Sequence, residues 1–286
     1  MPIYDQSYQH WNGHFRQTRW SSWWVIASME FRLLLQRKFV RLVVLVPPLL
    51  YFLVHGVQIY VANRIPEARV FWRIDPAFFK KFLLRGPALP GLFICLIAIF
   101  SGAGLIANDL RYNALQLYLS KPISWWDYLL GKITVMLMWL GLITVVPGLL
   151  LLSEHLLLAD SIIFLKKNYG LLLAIPLFSL LIILPTSLLI LALSSLTTNS
   201  RYAAVGFAAL LVGTPVLSEV LSFVTRKEAF HLLSIWANYD LLGSYLFDLS
   251  PPYSYPWYLA LLICLGIMVS SLWVLQKRIR AVQIVQ

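Results

Sequence analysis

An all-α integral membrane protein is the fold class this sequence predicts, and three observations predict it. Of its 286 residues, 60% are hydrophobic and only 12% are charged, whereas soluble domains carry about 25% charged residues. A chain of this length still has a large surface, so the surplus apolar side chains must meet lipid. Finally, the apolar residues gather in six stretches near 20 residues, the length that crosses a bilayer as a helix. They fall at 42–61, 89–107, 133–152, 171–196, 202–224 and 257–275, each bounded by charge or turn residues. The expected organisation is an N-terminal segment over 1–41, a six-helix transmembrane domain over 42–276 and a tail over 277–286.

The N-terminal segment contains Asp5, His10, His14, Arg16 and Arg19 and no apolar core of the export type. The first span is therefore expected to act as its own insertion signal. Residues 22–40 form a helix leading into that span, with Trp20, Trp23 and Trp24 suited to the headgroup layer. This is a membrane-surface helix, though its polar residues split between two arcs. Arg37, Lys38 and Arg41 precede span one, and Lys277, Arg278 and Arg280 fill the tail. Both clusters favour a cytoplasmic location for both termini, which puts thirteen of the 23 Lys and Arg residues inside. The expected location is the cytoplasmic membrane, crossed several times.

Between spans one and two, on the outer side, Asp75-Pro76 opens a short helix. Phe78, Phe79, Phe82 and Leu83 share one face; Lys80, Lys81 and Arg85 share the other. An external interfacial helix results, either a plain anchor or a contact for an acidic partner or lipid headgroup. Within span two, Ser101-Gly102-Ala103-Gly104 lacks the Gly-x-Ser order of an intramembrane serine nucleophile. Small residues there allow close helix packing.

Span four is long enough to tilt or project. Pro47, Pro48, Pro147, Pro176, Pro185 and Pro215 lie within spans and permit kinks. Glu219 is the one acidic residue well inside a span, and a charge at mid-bilayer costs about 2.5–3.5 kcal/mol. It is either a gate or substrate contact or a simple interfacial residue. Residues 225–255 are too polar to cross and too apolar for a free loop, so interfacial or re-entrant helices ending at Ser250-Pro251-Pro252 are expected.

Several chemistries are missing. Glu154-His155 is not followed by the second histidine of a zinc motif, and the five histidines are scattered. Gly131-Lys132 lacks the upstream glycine and following Ser or Thr of a phosphate loop. Cys95 and Cys264 fall within spans and are not a disulfide framework. The net charge of +11 is accounted for by membrane flanks and interfacial helices, with no nucleic-acid module. No cofactor is expected to bind this chain.

The connection between spans two and three, residues 108–132, reads NDLRYNALQLYLSKPISWWDYLLGK. Asn108 or Asp109 is expected to cap a short helix, Pro122 to stop it, and Ser124-x-x-Asp127 to open the next with a capping box. A rigid helix–turn–helix elbow at the membrane surface follows.

This stretch resembles the permease subunits of ATP-binding-cassette (ABC) exporters of the type-two class. Their pattern runs acidic-x-Arg-x-Gly-Thr, Leu-Leu-x-Ser-x-Pro-x-Ser-Arg, then Gly-Lys. The chain matches at Asp109, Arg111, Leu117, Leu119, Ser120, Pro122, Ser124, Gly131 and Lys132, and departs at Asn113-Ala114, Tyr118 and Trp125. Residues 194–204 are similar to the family's short turn between spans four and five.

The resemblance implies a permease that forms a homodimer or heterodimer and binds ABC ATPase subunits in the cytoplasm. Residues 109–121 would be the coupling helix, with ATP and Mg held by the partner ATPase. Export powered in trans is the leading expectation, and the chain itself is not an enzyme. A first alternative is a relay that passes ATP-driven motion to an extracytoplasmic partner without transport. A less favoured one is an intramembrane lipid-modifying enzyme.

Overall fold

A computed structural model describes residues 22–84, 91–119, 123–158 and 169–284. Arg85, Ser120 and Pro122 lie outside the described residues, as do the side chains of Leu117 and Leu119. Every described element is helical, with no strand among them.

Among the described residues, six helices are long and apolar enough to cross a membrane: Val44–Arg64, Leu92–Arg111, Trp125–Leu158, Leu171–Ser195, Ser200–Thr225 and Trp257–Ile279. The chain is a multi-pass membrane protein. Span four is its core, packed against spans three, five and six. Of its apolar window 67% is buried, against 17% in spans one and five. Those outer spans face lipid or another protein along most of their surface.

The first described helix, α1 (Ser22–Gln36), buries Ile26, Ala27 and Leu34 and packs along span three. Trp24, Val25, Met29 and Leu33 on its other side are exposed. At Gly131 of span three, an added Cβ would sit 2.9 Å from Ile26 Cβ and 3.1 Å from the Trp23 carbonyl oxygen. Only a glycine admits α1 this closely.

Spans two and three are both broken. Span two runs as α2 (Leu92–Ile97), a π-turn at Ala98–Gly102, a turn over 103–106, and α3 (Ala107–Arg111). Its glycine-rich stretch packs as expected from small residues: a Cβ on Gly102 would meet Ile190 Cγ2 at 2.9 Å. Backbone groups freed in lipid must find partners inside the protein, and Ser194 of span four supplies them. Its hydroxyl accepts the Ile106 and Ala107 N–H groups at 3.1 and 2.9 Å and donates to the Ala103 carbonyl at 2.8 Å.

Span three starts earlier and ends later than the apolar run suggested, as two helices, Trp125–Ile143 and Val145–Leu158. The break at Thr144 lies one turn before Pro147, which has no N–H for the Ile143 carbonyl. In span five, Pro215 likewise leaves the Leu211 carbonyl free, and the Trp236 indole N–H donates to it at 3.0 Å. The Trp236 ring lies over Gly91, where φ is +62° and any Cβ would fall 1.8 Å from the ring.

At the end of the bundle opposite the 108–124 connection, the short helix Pro76–Leu84 packs on span one and on the helix Ile235–Leu246. Ile235–Leu246 is buried along most of its length.

Candidate functional site

The connection between spans two and three folds as two short helices, α3 and Ala114–Leu119, joined at Tyr112–Asn113. The sequence led to one helix held by an Asn108 or Asp109 cap. Instead Ser194, from a different span, takes the first free N–H groups, and Asp109 is committed elsewhere. Asn113 has φ of +55°, the left-handed conformation that glycine adopts freely and asparagine tolerates best among other residues. Asn113 occupies the position at which the exporter pattern carries glycine.

The elbow restarts as expected at span three. Ser124 Oγ accepts the Asp127 N–H at 3.2 Å, and Asp127 Oδ2 accepts the Ser124 N–H at 3.1 Å, a complete capping box.

The centre of the site is a buried ion triad. Lys132 lies about 10 Å into the span-three helix, at 1.5 Å per residue, and its side chain is 0% exposed. A lysine there must be paired. Its Nζ reaches Asp109 Oδ2 at 2.7 Å and Glu30 Oε1 at 2.5 Å. Tyr128 donates its phenolic proton to Asp109 Oδ2 at 2.7 Å. The rings of Tyr128 and Tyr118 lie 5.3 and 5.9 Å from the ammonium, in the range of cation–π attraction. Burial holds the Tyr118 phenol above its ordinary pKa; Lys132 pulls it down while Asp109 and Glu30 push it up. Through this triad α1, the end of span two and the start of span three share one charged joint.

The other residues singled out by the sequence are spread more widely. Arg111 is exposed, with its guanidinium 5.5 Å from the Tyr112 ring. Leu117 and Leu119 lie on the helix Ala114–Leu119. Ser124 serves the cap already described. Glu219 is 73% exposed, 3.9 Å from His231 Nδ1, so it faces outward near the end of span five.

The Pro76–Leu84 helix is docked into the protein. Phe79 and Phe82 are buried; Phe82 stacks on Tyr51 at 5.4 Å and Phe78 packs on His55. Its two lysines part company. Lys80 binds Asp240 Oδ1 at 2.8 Å and the Ser244 hydroxyl at 2.7 Å, whereas Lys81 is exposed. The pattern of alternating faces was legible, but Asp240 lies 160 residues away and no local spacing announces it.

Sequence reasoning passed over Glu30, Tyr128, Ser194 and the pairing role of Lys132. The signal for Lys132 was present: a lysine at the mouth of an apolar run with no acidic residue a turn away on its own helix. Glu154 was weighed only for a zinc motif and not as a charge within a span. It lies within the span-three helix, with its carboxylate against Gly56 of span one, where an added Cβ would come within 3.1 Å. Glu219 is therefore not the sole acidic residue within a span helix.

The sequence matches no protein-family model and no curated protein.

Proposed function

We propose that this chain is the permease subunit of a type-two ABC transporter, exporting a substrate across the cytoplasmic membrane with ATP hydrolysed by separate subunits. One observation carries the reading. The two ends of the motif that resembles the family, Asp109 and Lys132, meet in a 2.7 Å ion pair, and Asn113 between them, where the family's pattern has glycine, takes a left-handed conformation that favours glycine. The ion pair gives those two positions a physical reason to occur together, and asparagine is the non-glycine residue that best tolerates the conformation at 113.

In this reading the ATPase docks on the exposed side of the elbow, at Arg111 and the helix Ala114–Leu119. Arginine suits such contacts because its fork binds carboxylates and carbonyls at several points. A push on the elbow is passed to α1 and span three together, since the triad fixes all three. The breaks at 103–106 and Thr144 give spans two and three places to bend. Both termini then lie in the cytoplasm, and the exposed faces of spans one and five serve for dimerisation or lipid contact. A relay to an extracytoplasmic partner is the second reading. The tie between Lys80 and Asp240 favours it, because it makes the end opposite the elbow a firm body able to transmit displacement.

The test is the double substitution Arg111→Ala with Leu117→Ala, measured as ATPase copurification and ATPase activity coupled to the membrane subunit. Interface energy concentrates in a few desolvated anchors, commonly about 2 kcal/mol or more each. Association should fall sharply while membrane insertion is kept. Phe223→Ala, at the opposite end of the bundle and 87% exposed, should leave association unchanged. Full ATPase binding and activity in the double variant would reduce the elbow to a connector.

A further inference from the structure

At the end of the bundle away from the elbow, the segment after span one forms a 3₁₀ turn (Pro66–Val70) and then an irregular stretch leading to the Pro76–Leu84 helix. A cleft of about 340 Å³ opens between this stretch and span one, lined by Gln58, Phe71, Trp72, Arg73, Phe78 and Lys81 among others. From this cleft the geometry points to a binding site for an anionic phospholipid, with its phosphate at Arg73 and Lys81 and its acyl chains along span one.

Charge is the first argument. The cations of this segment divide by what they touch. Arg69 is spent on the Ala62 and Asn63 carbonyls at 3.0 and 3.3 Å, and Lys80 on Asp240 and Ser244. Arg73 and Lys81 line the cleft and take part in no ion pair among the described residues. Asp75 is the acidic member of the lining, and its carboxylate is occupied in accepting the Phe78 N–H at 3.0 Å. Two cations against one anion leave the cleft at +1. The start of the Pro76–Leu84 helix also faces it, adding the positive end of a helix dipole.

Depth and shape are the second argument. Gln58 lies six residues before Arg64, the end of span one, so the cleft reaches about 9 Å down that helix at 1.5 Å per residue. Next to Gln58, span one presents Leu50, Leu53, Val54 and Val57, all exposed, on one face at helical spacing. Above them Val70 and Phe71 are 79% and 82% exposed, with Trp72 beside them. Aromatic and apolar side chains next to free cations suit the headgroup boundary. A ligand that matches must carry a phosphate at one end and hydrocarbon at the other. The inference holds with or without an ATPase, and its test contains none.

The test is native mass spectrometry of the full chain in detergent, supplied with equal amounts of phosphatidylglycerol and phosphatidylcholine. The wild type should retain phosphatidylglycerol preferentially. Each basic residue near a lipid surface favours anionic lipid enough that removing both cations should cut the preference about thirtyfold. Arg73→Gln with Lys81→Gln should therefore lose it, Arg73→Lys with Lys81→Arg should keep it, and Lys277→Gln with Arg278→Gln at the far end should not change it. Unchanged thermal unfolding of the Gln variant shows that folding is intact. Equal retention of the two lipids, or an undiminished preference in the Gln variant, overturns the site. Displacement of the lipid by equimolar glycerol phosphate would assign the cleft to a soluble phosphate ester and overturn the lipid.

Discussion

Replacing Lys132 by methionine keeps the length of the side chain and removes the one positive charge of the triad. Asp109 Oδ2 and Glu30 Oε1 lie 2.7 and 2.5 Å from the same nitrogen, so those oxygens are within about 5 Å of each other. At an effective dielectric near 20, two negative charges that close repel by about 3 kcal/mol. Both side chains are mostly buried, 13% and 17% exposed, so water relieves little of it. Breaking a buried ionic group by removing one partner costs about 3–5 kcal/mol, in line with this figure. Lys132→Met should therefore unfold about 3–5 kcal/mol more easily in a denaturant titration in fixed detergent. Glu30→Gln should cost much less, because it leaves Lys132 and Asp109 as a balanced pair. The triple change Lys132→Met, Glu30→Gln, Asp109→Asn removes every charge and should recover most of the loss. If Lys132→Met is as stable as the wild type, or the triple variant is no better than Lys132→Met, the triad is not what joins α1 to the elbow.

Asn113→Gly should leave stability unchanged or slightly raised, whereas Asn113→Val should lose about 1–2 kcal/mol, because a β-branched residue is strained at φ of +55°; thermal unfolding distinguishes them. Ser194→Ala strips partners from the Ile106 and Ala107 N–H groups. It should cost about 1–3 kcal/mol for each buried group left unsatisfied and speed hydrogen exchange at 103–107. Glu228 accepts both the N–H and the hydroxyl of Ser254, at 3.0 and 2.6 Å, which holds its carboxyl below the usual range. A depressed carboxyl contributes above its unfolded pKa and loses that contribution as pH falls through the folded value. Protection of residues 228–233 and 253–255 should thus be full near neutrality and fall below about pH 4.5. Glu228→Gln should remove that pH dependence.

Sequence alone determined that this is a helical membrane protein with six spans, because lipid demands long uninterrupted apolar runs that few other structures need. It also determined how span three restarts after the elbow. The capping box at Ser124 and Asp127 involves residues three apart on one turn, and such pairs are visible as spacing. The amphipathic pattern of residues 76–84 was legible for the same reason, but not what each face would meet.

Only the tertiary structure decided the partners of the polar groups inside the bundle. Glu30 and Lys132 are 102 residues apart, Lys80 and Ser244 164, and Ser194 and Ile106 88. Each pairing is enforced by the cost of leaving a charge or a backbone N–H unsatisfied in a low-dielectric interior. That cost says a partner must exist without saying which one. The choice was made by packing: Gly131 lets α1 approach until Glu30 reaches Lys132, and the break in span two turns its free N–H groups toward Ser194.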